Sequence, residues 1–560
     1  MPASIGEPQA MKQIDFQTDP SRYRHWRLGF DGPVATLTMD VDPAAGVFGD
    51  TELKLNSYDL GVDIELADAV QRLRFERPET RAVLLRSAKP NVFCAGANIR
   101  MLAKASHAHK VNFCKFTNET RLAIEDASEQ SGQRYIAAIS GSAAGGGYEL
   151  AEACTWIMLI DDRRSTVSLP ELPLLAVLPG TGGLTRLTDK RKVRRDRADV
   201  FCTTEEGVRG RRALDWRLVD EVVPPSEWEQ RLRERALALA ATSDRPSGAV
   251  GIKLPPLERN FRAGGVTYPH VRMEFDRVRR CAMLTVTVPA QLPPDLSAIH
   301  ATGAAFWPLA MARELDDAIL HLRLNEPELG LIVLRSEGDP NVVLGADALL
   351  EAHKHDWLVR EIRLLLKRVL KRLDVTARSM IALVEPGSCF AGTLAELVFA
   401  ADRSVMLTGR RSGDNREPAT LHLSAQNFGA YPMGNGLTRL ATRFIGEPDS
   451  VESARQELGR PLDAAAAEAL GLVTMTFEEI DWDDEVRIML EERASFSPDA
   501  LTGMEANLRF AGPETMETRI FGRLTAWQNW IFQRPNAVGE AGSLKLYGSG
   551  QRPRFDQERT

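Results

Sequence analysis

The chain has 560 residues, too many for a single hydrophobic core, so we expect more than one domain. Hydrophobic residues make up 44% of it and charged residues 26%, which is typical of a soluble globular protein. The net charge of −7 excludes a chain whose overall field attracts nucleic acid or an anionic membrane.

The amino-terminal segment and the cysteines indicate a cellular compartment. Met1 to Phe16 is polar and lacks the apolar stretch of a signal peptide, and no apolar run reaches the roughly 18–20 residues of a membrane-spanning helix. The cysteines are scattered, without a CxxC pair or a histidine at metal-ligand spacing, which predicts reduced thiols and no metal site. We therefore expect a cytoplasmic protein.

Segments of the first half return in the second half in the same order. YRHWRLGFD from Tyr23 matches YPHVRMEFD from Tyr268, and ELADAVQRLRFERPE from Glu65 matches ELDDAILHLRLNEPE from Glu314. YIAAISGSAAGGGYEL and GGLTRL return likewise as MIALVEPGSCFAGTLAEL and NGLTRL. Ordered matches of this kind indicate a tandem duplication.

Helical patterns alternate with short apolar strands in each half. In the first half we predict a helix over Leu60–Phe75 and strands over Ala82–Leu85 and Tyr135–Ile139. Charged helical stretches follow at Ser226–Ala241 in the first half and from residue 484 to about residue 530 in the second. Strands that alternate with helices predict an α/β fold with largely parallel strands and right-handed crossovers.

Two glycine-containing loops of the first half follow buried strands. They are FCAGAN (Phe93–Asn98) and GSAAGGGYEL (Gly141–Leu150), and the second passes directly into a helix. Small residues let backbone N–H groups approach a ligand, and a helix N-terminus adds positive potential, so one N–H from each loop would bind a developing oxyanion. Tight packing turns are the alternative interpretation.

These loops, followed in order by LPELPL and PGTGGLTRL, resemble the enoyl-CoA hydratase (crotonase) superfamily from Tyr23 to Val223. The resemblance implies two tandem crotonase-like domains of the spiral ββα type, here a catalytic domain (1–260), a degenerate repeat (261–483) and a helical C-terminal region ending in an irregular tail (484–560). It also implies that a coenzyme A thioester places its carbonyl oxygen between the N–H groups of Ala97 and Gly146. Coenzyme A would then contact residues in and just after the first loop: Ala95, Gly96, Ala97, Arg100 and Lys104.

The same resemblance assigns two catalytic carboxylates, Glu149 in GGGYEL and Glu171 in LPELPL. Paired carboxylates divide the roles of acid and base when proximity separates their pKa values, and the sequence leaves open which residue takes which role. The segment from Glu171 to Pro179 is one residue longer than in the family and lacks its customary glycine. Glu152, one helical turn after Glu149, is a rival catalytic acid.

Cys114 falls on the helix that lines the acyl pocket in relatives. We therefore expect it to be catalytic or to contact substrate, although a buried thiol is ordinarily inert packing.

The second half keeps the scaffold but not the site. Its first loop survives as Gly345-Ala346-Asp347 and Glu396 lies near the position of Glu149, whereas Ser424 falls at about the position of Glu171. We interpret this half as a structural partner that supplies a surface other crotonases obtain by forming oligomers.

The fused double arrangement, with the C-terminal sequence WIFQRPNAVGEAGSLKLYGSG, resembles the branch of the superfamily that acts in aerobic benzoate degradation. That resemblance implies ring opening of 2,3-epoxy-2,3-dihydrobenzoyl-CoA by two waters to 3,4-didehydroadipyl-CoA semialdehyde and formate. It implies no cofactor besides the coenzyme A of the substrate, and we expect a homodimer. The alternatives are an ordinary enoyl-CoA hydratase or isomerase and a non-catalytic acyl-CoA-binding protein.

Overall fold

A computed structural model describes residues 13–47 and 51–560. The chain divides into two compact units, Met1–Leu254 and Pro255–Thr560. The predicted domain bounds at residues 260 and 483 stay a prediction, and most of the segment in which we predicted no signal peptide lies outside the described residues. None of the described helices is both long enough and apolar enough to cross a membrane.

The first unit contains two sheets. Its strands are β1 (Trp26–Asp31), β2 (Val34–Met39), β3 (Ala82–Ser87), β4 (Val92–Cys94), β5 (Arg134–Ile139), β6 (Ser142–Ala144), β7 (Trp156–Ile160), β8 (Thr166–Ser168) and β9 (Glu221–Val223). The larger sheet has the order β1-β2-β3-β5-β7-β9, antiparallel between β1 and β2 and parallel from β2 onward. The smaller sheet, β4-β6-β8, is parallel throughout.

Helices connect these parallel strands. They are α1 (Leu60–Phe75), α2 (Ile99–Lys104), α3 (His107–Gln130), α4 (Gly146–Ala153), α5 (Glu171–Leu175), α6 (Gly183–Asp189), α7 (Arg195–Cys202), α8 (Gly210–Asp215) and α9 (Trp228–Ala240). The predicted helix over Leu60–Phe75 is confirmed at both ends. Each of the two predicted strands is confirmed with a small extension, to Ser87 in β3 and from Arg134 in β5.

One face of the larger sheet packs against α9. Alternate strand residues such as Ala82, Leu84 and Ile136 form a buried cluster with Trp228 and Leu232 of that helix. The first four residues of β3 are all buried, as expected for a parallel strand covered on both faces. Burial on both faces is why this strand reads as a continuous apolar run in the sequence.

The described residues of the second unit form one eight-stranded sheet with its strands in chain order from β10 to β17. Its pairs are antiparallel from β10 to β13 and parallel from β13 to β17. Its strands are β10 (Asn260–Arg262), β11 (Gly265–Thr267), β12 (Val271–Asp276), β13 (Cys281–Thr287), β14 (Leu331–Glu337), β15 (Ser379–Val384), β16 (Arg403–Leu407) and β17 (Met475–Phe477). Both units are therefore α/β, as predicted from the alternation of strands and helices.

The second unit ends in a series of helices. Its helices are α10 (Leu296–Thr302), α11 (Trp307–Asn325), α12 (Pro340–Ala352), α13 (Trp357–Asp374), α14 (Gly392–Ala400), α15 (Arg439–Arg443), α16 (Pro448–Gln456), α17 (Ala464–Ala469), α18 (Glu479–Ser495), α19 (Pro498–Arg509), α20 (Met516–Arg519), α21 (Thr525–Ile531), α22 (Pro535–Val538) and α23 (Ser543–Leu546). Residues 551–560 that follow have no regular secondary structure, but they are anchored, because the guanidinium of Arg559 donates to Glu505 over 2.6 Å and to the carbonyl of Ala377 over 3.0 Å.

Candidate active site

The smaller sheet of the first unit brings three predicted site segments together. β4 leads into the first loop, β6 into Gly145 and α4, and β8 through Leu169 and Pro170 to Glu171. Because the three strands are parallel neighbours, all three segments leave the same edge of the sheet. Ligands of α/β proteins commonly bind at such carboxyl ends.

Two backbone N–H groups at this edge are free to bind a ligand. Within residues 13–47 and 51–560, neither the N–H of Ala97 nor that of Gly146 donates a hydrogen bond. The two loops touch, because a Cβ built on Gly96, where φ is +84°, would lie 2.8 Å from the nitrogen of Gly146. Gly146 is also the first residue of α4, so positive helix-end potential adds to its N–H.

Glu149 is held from one side by the turn before α6. One of its carboxylate oxygens accepts the N–H groups of Thr181 (3.0 Å) and Gly183 (2.8 Å), and the other accepts the Thr181 hydroxyl. The residue is only 2% exposed. Because all these partners are donors, the arrangement suits an ionised carboxylate, which only accepts hydrogen bonds.

Glu171 lies against the start of α4. A Cβ built on Gly145 would be 2.7 Å from Oε1 of Glu171, and Oε2 is buried with no hydrogen-bond partner among the described residues. Burial and the nearby charge of Glu149 raise the pKa of Glu171 to about 7. The two carboxyl groups therefore differ in environment, because Glu149 is surrounded by donors and Oε2 of Glu171 has none, and their catalytic pairing stays a prediction.

The lengthened segment after Glu171 forms a short helix with an exposed apolar surface. Ala176 ends α5 in the left-handed conformation, at φ 53°, which is uncommon for a residue other than glycine. The large apolar side chains that follow Glu171 are exposed to solvent: Leu172, Leu174, Leu175, Val177 and Leu178.

Glu152, the rival acid, lies on the same side of α6 as Glu149. A Cβ built on Gly183 would be 2.9 Å from Oε2 of Glu152 and 3.0 Å from Oε1 of Glu149. Both carboxyl oxygens of Glu152 are without a hydrogen-bond partner among the described residues. Burial, together with the charge of Glu149, raises the pKa of Glu152 well above its usual value, which favours the protonated form of this side chain.

Cys114 reaches the same region from α3. A Cβ built on Gly180 would be 3.9 Å from its sulfur, and Asn118 joins the carbonyls of Cys114 and Gly180 through one side-chain amide. Burial and the charge of Glu149 raise the pKa of the Cys114 thiol to about 11. At neutral pH the thiol form therefore prevails over the nucleophilic thiolate.

The residues assigned to coenzyme A lie in the first loop and in the helix α2 that follows it. Ala95, Arg100 and Lys104 are exposed, Ala97 is half-buried, and Gly96 is buried. Asn98 begins α2, since its side chain accepts the N–H of Met101 over 3.0 Å. Four of the five predicted coenzyme A contacts are thus accessible at least in part, and Gly96 is the exception. Among the described residues, no group of three or more His, Cys, Asp and Glu side chains is arranged to hold a metal ion.

Sequence reasoning missed the residues beneath the two loops. Tyr58 and Arg121 are buried there, and Arg121 donates to the hydroxyl of Tyr58 over 3.0 Å. Tyr58 belongs to none of the recognised motifs. Arg121 was detectable, because it is a charged residue on a face of α3 that also buries Phe113, Thr117 and Ile124.

The corresponding place in the second unit is closed by its own side chains. Asp347 accepts the N–H of Thr393 over 2.9 Å and the hydroxyl of Ser424 over 2.6 Å. Glu396 is buried in an ion pair with Arg439 at 2.9 Å. The carboxylate of Asp347 therefore occupies the N–H of Thr393, the residue after Gly392. The charge of Glu396, near the position of Glu149, is neutralised by Arg439.

Comparison with known proteins gives matches over the first unit and over the whole chain. Residues 50–249 match the enoyl-CoA hydratase/isomerase family. The full chain is 57% identical over 560 residues to a benzoyl-CoA-dihydrodiol lyase of Aromatoleum evansii, covering 100% of both proteins. Among solved structures, an enoyl-CoA hydratase of Bacillus anthracis is 27% identical over 39% of this chain and 77% of that one, with a TM-score of 0.34. Pseudomonas aeruginosa DspI is 26% identical over 40% of this chain and 76% of that one, also with a TM-score of 0.34.

Proposed function

The chain belongs to the benzoyl-CoA-dihydrodiol lyase family, and from that premise we propose that it opens the ring of 2,3-epoxy-2,3-dihydrobenzoyl-CoA. Two waters are consumed, a carbon–carbon bond of the ring breaks, and the products are 3,4-didehydroadipyl-CoA semialdehyde and formate. The observation that carries this proposal is a pair of N–H groups, of Ala97 and Gly146, that make no hydrogen bond among the described residues. Near them lie two carboxyl groups in different environments, those of Glu149 and Glu171.

Ala97 and Gly146 are proposed to bind the thioester oxygen. Negative charge accumulates on that oxygen when water adds to the ring and again when the carbon–carbon bond breaks. Preorganised N–H donors stabilise such charge, and the loss of one typically costs about 10²–10³ in rate. The two loops touch at Gly96 and Gly146, which supports this role, because both N–H groups are then close enough to bind the same oxygen atom.

Glu149 is proposed as the base and Glu171 as the acid of the first proton transfers. Glu149, already surrounded by donors, takes a proton from the attacking water. Glu171, whose pKa is raised to about 7, gives its proton to the epoxide oxygen as the carbon–oxygen bond opens. The two transfers leave no net change in the proton content of the pair. Positioned acid–base groups of this kind contribute about 10²–10⁴ in rate.

The acyl group and the coenzyme A have separate proposed contacts. The exposed apolar side chains from Leu172 to Leu178 offer a surface for an aromatic ring next to Glu171. Cys114 is proposed to contact substrate as a neutral thiol, because its pKa is raised to about 11. Ala95, Gly96 and Ala97 are proposed to meet the adenine, and Arg100 and Lys104 the phosphates, through charge complementarity.

The second unit is proposed to be a degenerate crotonase-like repeat in tandem with the first. Supporting this, β13 to β17 repeat the parallel order of β2, β3, β5, β7 and β9. We further propose a homodimer, supported by exposed apolar side chains in the C-terminal region from residue 508 onward: Leu508, Met516, Phe521, Phe532 and Leu544. The proposed reaction consumes water, transfers protons and breaks a carbon–carbon bond of the substrate, and it needs no cofactor beyond the coenzyme A of the substrate.

The proposed location of the protein is the cytoplasm.

Formate release from 2,3-epoxy-2,3-dihydrobenzoyl-CoA tests the proposed function. The native chain is expected to form formate and the semialdehyde in equal amounts, because both come from one ring carbon–carbon cleavage. A chain with Glu149→Gln and Glu171→Gln together is expected to release none above the uncatalysed rate, and it serves as the control for contaminating enzymes. Absence of formate together with hydration of crotonyl-CoA would replace this substrate with an aliphatic enoyl-CoA. Thioester binding without turnover of either compound would indicate an acyl-CoA-binding protein.

The pH dependence of kcat/KM reports the proposed acid. Glu171 must be protonated to donate, and its pKa is raised from 4.5 to about 7, so the protonated form persists up to that pH. We expect kcat/KM for formate release to fall by about tenfold per pH unit above pH 7. Residual activity of Glu171→Gln is expected to show no such decline between pH 6 and 8. A native rate that keeps rising through pH 8 would contradict the assignment of Glu171 as the acid.

A further inference from the structure

Tyr58 connects directly to the first of the two oxyanion loops. Its N–H donates to the carbonyl of Gly96 over 3.0 Å, and its own carbonyl accepts the N–H of Asn98 over 2.8 Å. The carbonyl of Gly96 and the N–H of Ala97 belong to one planar trans peptide and point in opposite directions. The hydrogen bond from Tyr58 to Gly96 therefore turns the N–H of Ala97 away from Tyr58.

The side chain of Tyr58 contacts the second loop. A Cβ built on Gly146 would collide with the phenol hydroxyl, so the Cα of Gly146 sits directly against that group. Tyr58 is only 1% exposed and cannot swing out into solvent without losing its packing. One residue thus touches both loops, one through its backbone and the other through its ring.

A buried ion pair holds the phenol in place. Nη2 of Arg121 donates to the Tyr58 hydroxyl over 3.0 Å and to the carbonyl of Gly146 over 3.4 Å. Nη1 of the same guanidinium donates to Oδ1 of Asp63 over 3.3 Å and to the carbonyl of Thr117 over 3.2 Å. Burial raises the pKa of Tyr58 well above its ordinary value, so the phenol stays neutral under assay conditions.

In the second unit, Asp347 already accepts the N–H of Thr393, and the residues that would connect the two loops are different. When the matched segments beginning at Glu65 and Glu314 and the matched strands β5 and β15 are aligned, the positions of Tyr58, Asp63 and Arg121 hold other residue types: Trp307, Ala312 and Leu366. Tyr58, Arg121 and Asp63 therefore occur together in the unit whose two loop N–H groups make no hydrogen bond among the described residues.

We propose that Tyr58 is a positioning residue that sets the separation and direction of the Ala97 and Gly146 N–H groups, with Arg121 and Asp63 fixing its hydroxyl. This inference rests on the proposed function, because it assigns both N–H groups to the thioester oxygen. Tyr58 acts through the two loops and does not touch the reacting atoms. Outer-shell partners of metal ligands, which also act by orienting another group, typically change activity by about 10–100-fold when they are removed, and we expect an effect at the lower end of that range.

The test is Tyr58→Phe in the full chain, which keeps the backbone bonds and the ring and removes the hydroxyl. We expect kcat for formate release to fall by about tenfold with KM changed by less than about threefold, because the misplaced donors weaken stabilisation of the transition state more than binding of the substrate. Arg121→Lys is expected to act in the same direction, since a lysine keeps the charge near Asp63 without the planar fork that also reaches Tyr58. Tyr23→Phe is the matched control, because Tyr23 also bonds a charged partner, Asp68, at a distance from the loops.

A spectroscopic measurement separates this inference from the proposed reaction. 4-(Dimethylamino)benzoyl-CoA is a push–pull chromophore whose absorption moves to longer wavelength when its thioester carbonyl is polarised. At saturation, the native chain and Tyr23→Phe are expected to give the same red shift and Tyr58→Phe a smaller one. Absence of a red shift in the native chain would overturn the proposed oxyanion site itself. A native red shift with an equal shift and equal kcat in Tyr58→Phe would overturn the role of Tyr58 alone.

Discussion

Replacing Glu149 by glutamine is expected to lower kcat for formate release by about 10³-fold, within the range that positioned acid–base groups contribute. Glutamine preserves the shape of the site. Its carbonyl oxygen can accept the N–H groups of Thr181 and Gly183, and its amide can donate to the Thr181 hydroxyl. The chain should therefore fold normally and bind the thioester while lacking the base that takes a proton from water.

Glu152→Gln is the matched control for this substitution. Both glutamates lie on α4 and are almost completely buried, but the carboxyl oxygens of Glu152 have no hydrogen-bond partner among the described residues that glutamine would lose. Burial also raises the pKa of Glu152, which favours the protonated form that glutamine resembles. The kcat of Glu152→Gln in steady-state assays is expected to be within about threefold of that of the native chain. Melting temperatures of all variants are compared, so that a loss of activity can be distinguished from a loss of folding. A loss in Glu152→Gln that equals the loss in Glu149→Gln would show that Glu152 is needed for the reaction as much as Glu149, which would contradict its use as a control.

Gly146→Ala is expected to reduce kcat by about 10²–10³-fold, the range for loss of an oxyanion donor. A methyl group on this residue collides with the hydroxyl of Tyr58, which is buried and bonded to Arg121. Because Tyr58 cannot yield, the first turn of α4 must move, and the N–H of Gly146 moves with it. Overpacking of this kind also destabilises a protein by about 1–3 kcal/mol.

Gly29→Ala controls for the general effect of replacing a glycine in the first unit. A Cβ there would meet only the Cβ of Thr36, at the ordinary distance of 4.0 Å. Its kcat and melting temperature are expected to stay close to those of the native chain. If Gly146→Ala retained full activity with an unchanged red shift of 4-(dimethylamino)benzoyl-CoA, Gly146 would not be a donor to the thioester oxygen.

The sequence determined the elements of the fold well where burial follows a regular pattern. The helix Leu60–Phe75 and the strand beginning at Ala82 were predictable, because helical periodicity and a continuous apolar run are direct consequences of which faces are buried. The smaller sheet was not predictable from periodicity, because β4, β6 and β8 have only three residues each. Segments so short contain no period to detect.

The candidate site divides in the same way. The sequence by itself predicted the two glycine loops, because close backbone approach restricts residue types within a short motif that can be read in order. Glu149 and Glu171 were predicted from the resemblance of the surrounding motifs to the crotonase superfamily, and their catalytic roles stay a prediction. Only the tertiary structure decided the environments of the two glutamates, with donors around Glu149 and none on Oε2 of Glu171, since those contacts join separate segments of the chain. For the same reason, Tyr58 and Arg121 lie 63 positions apart in sequence and become neighbours only when α3 packs beneath the loops.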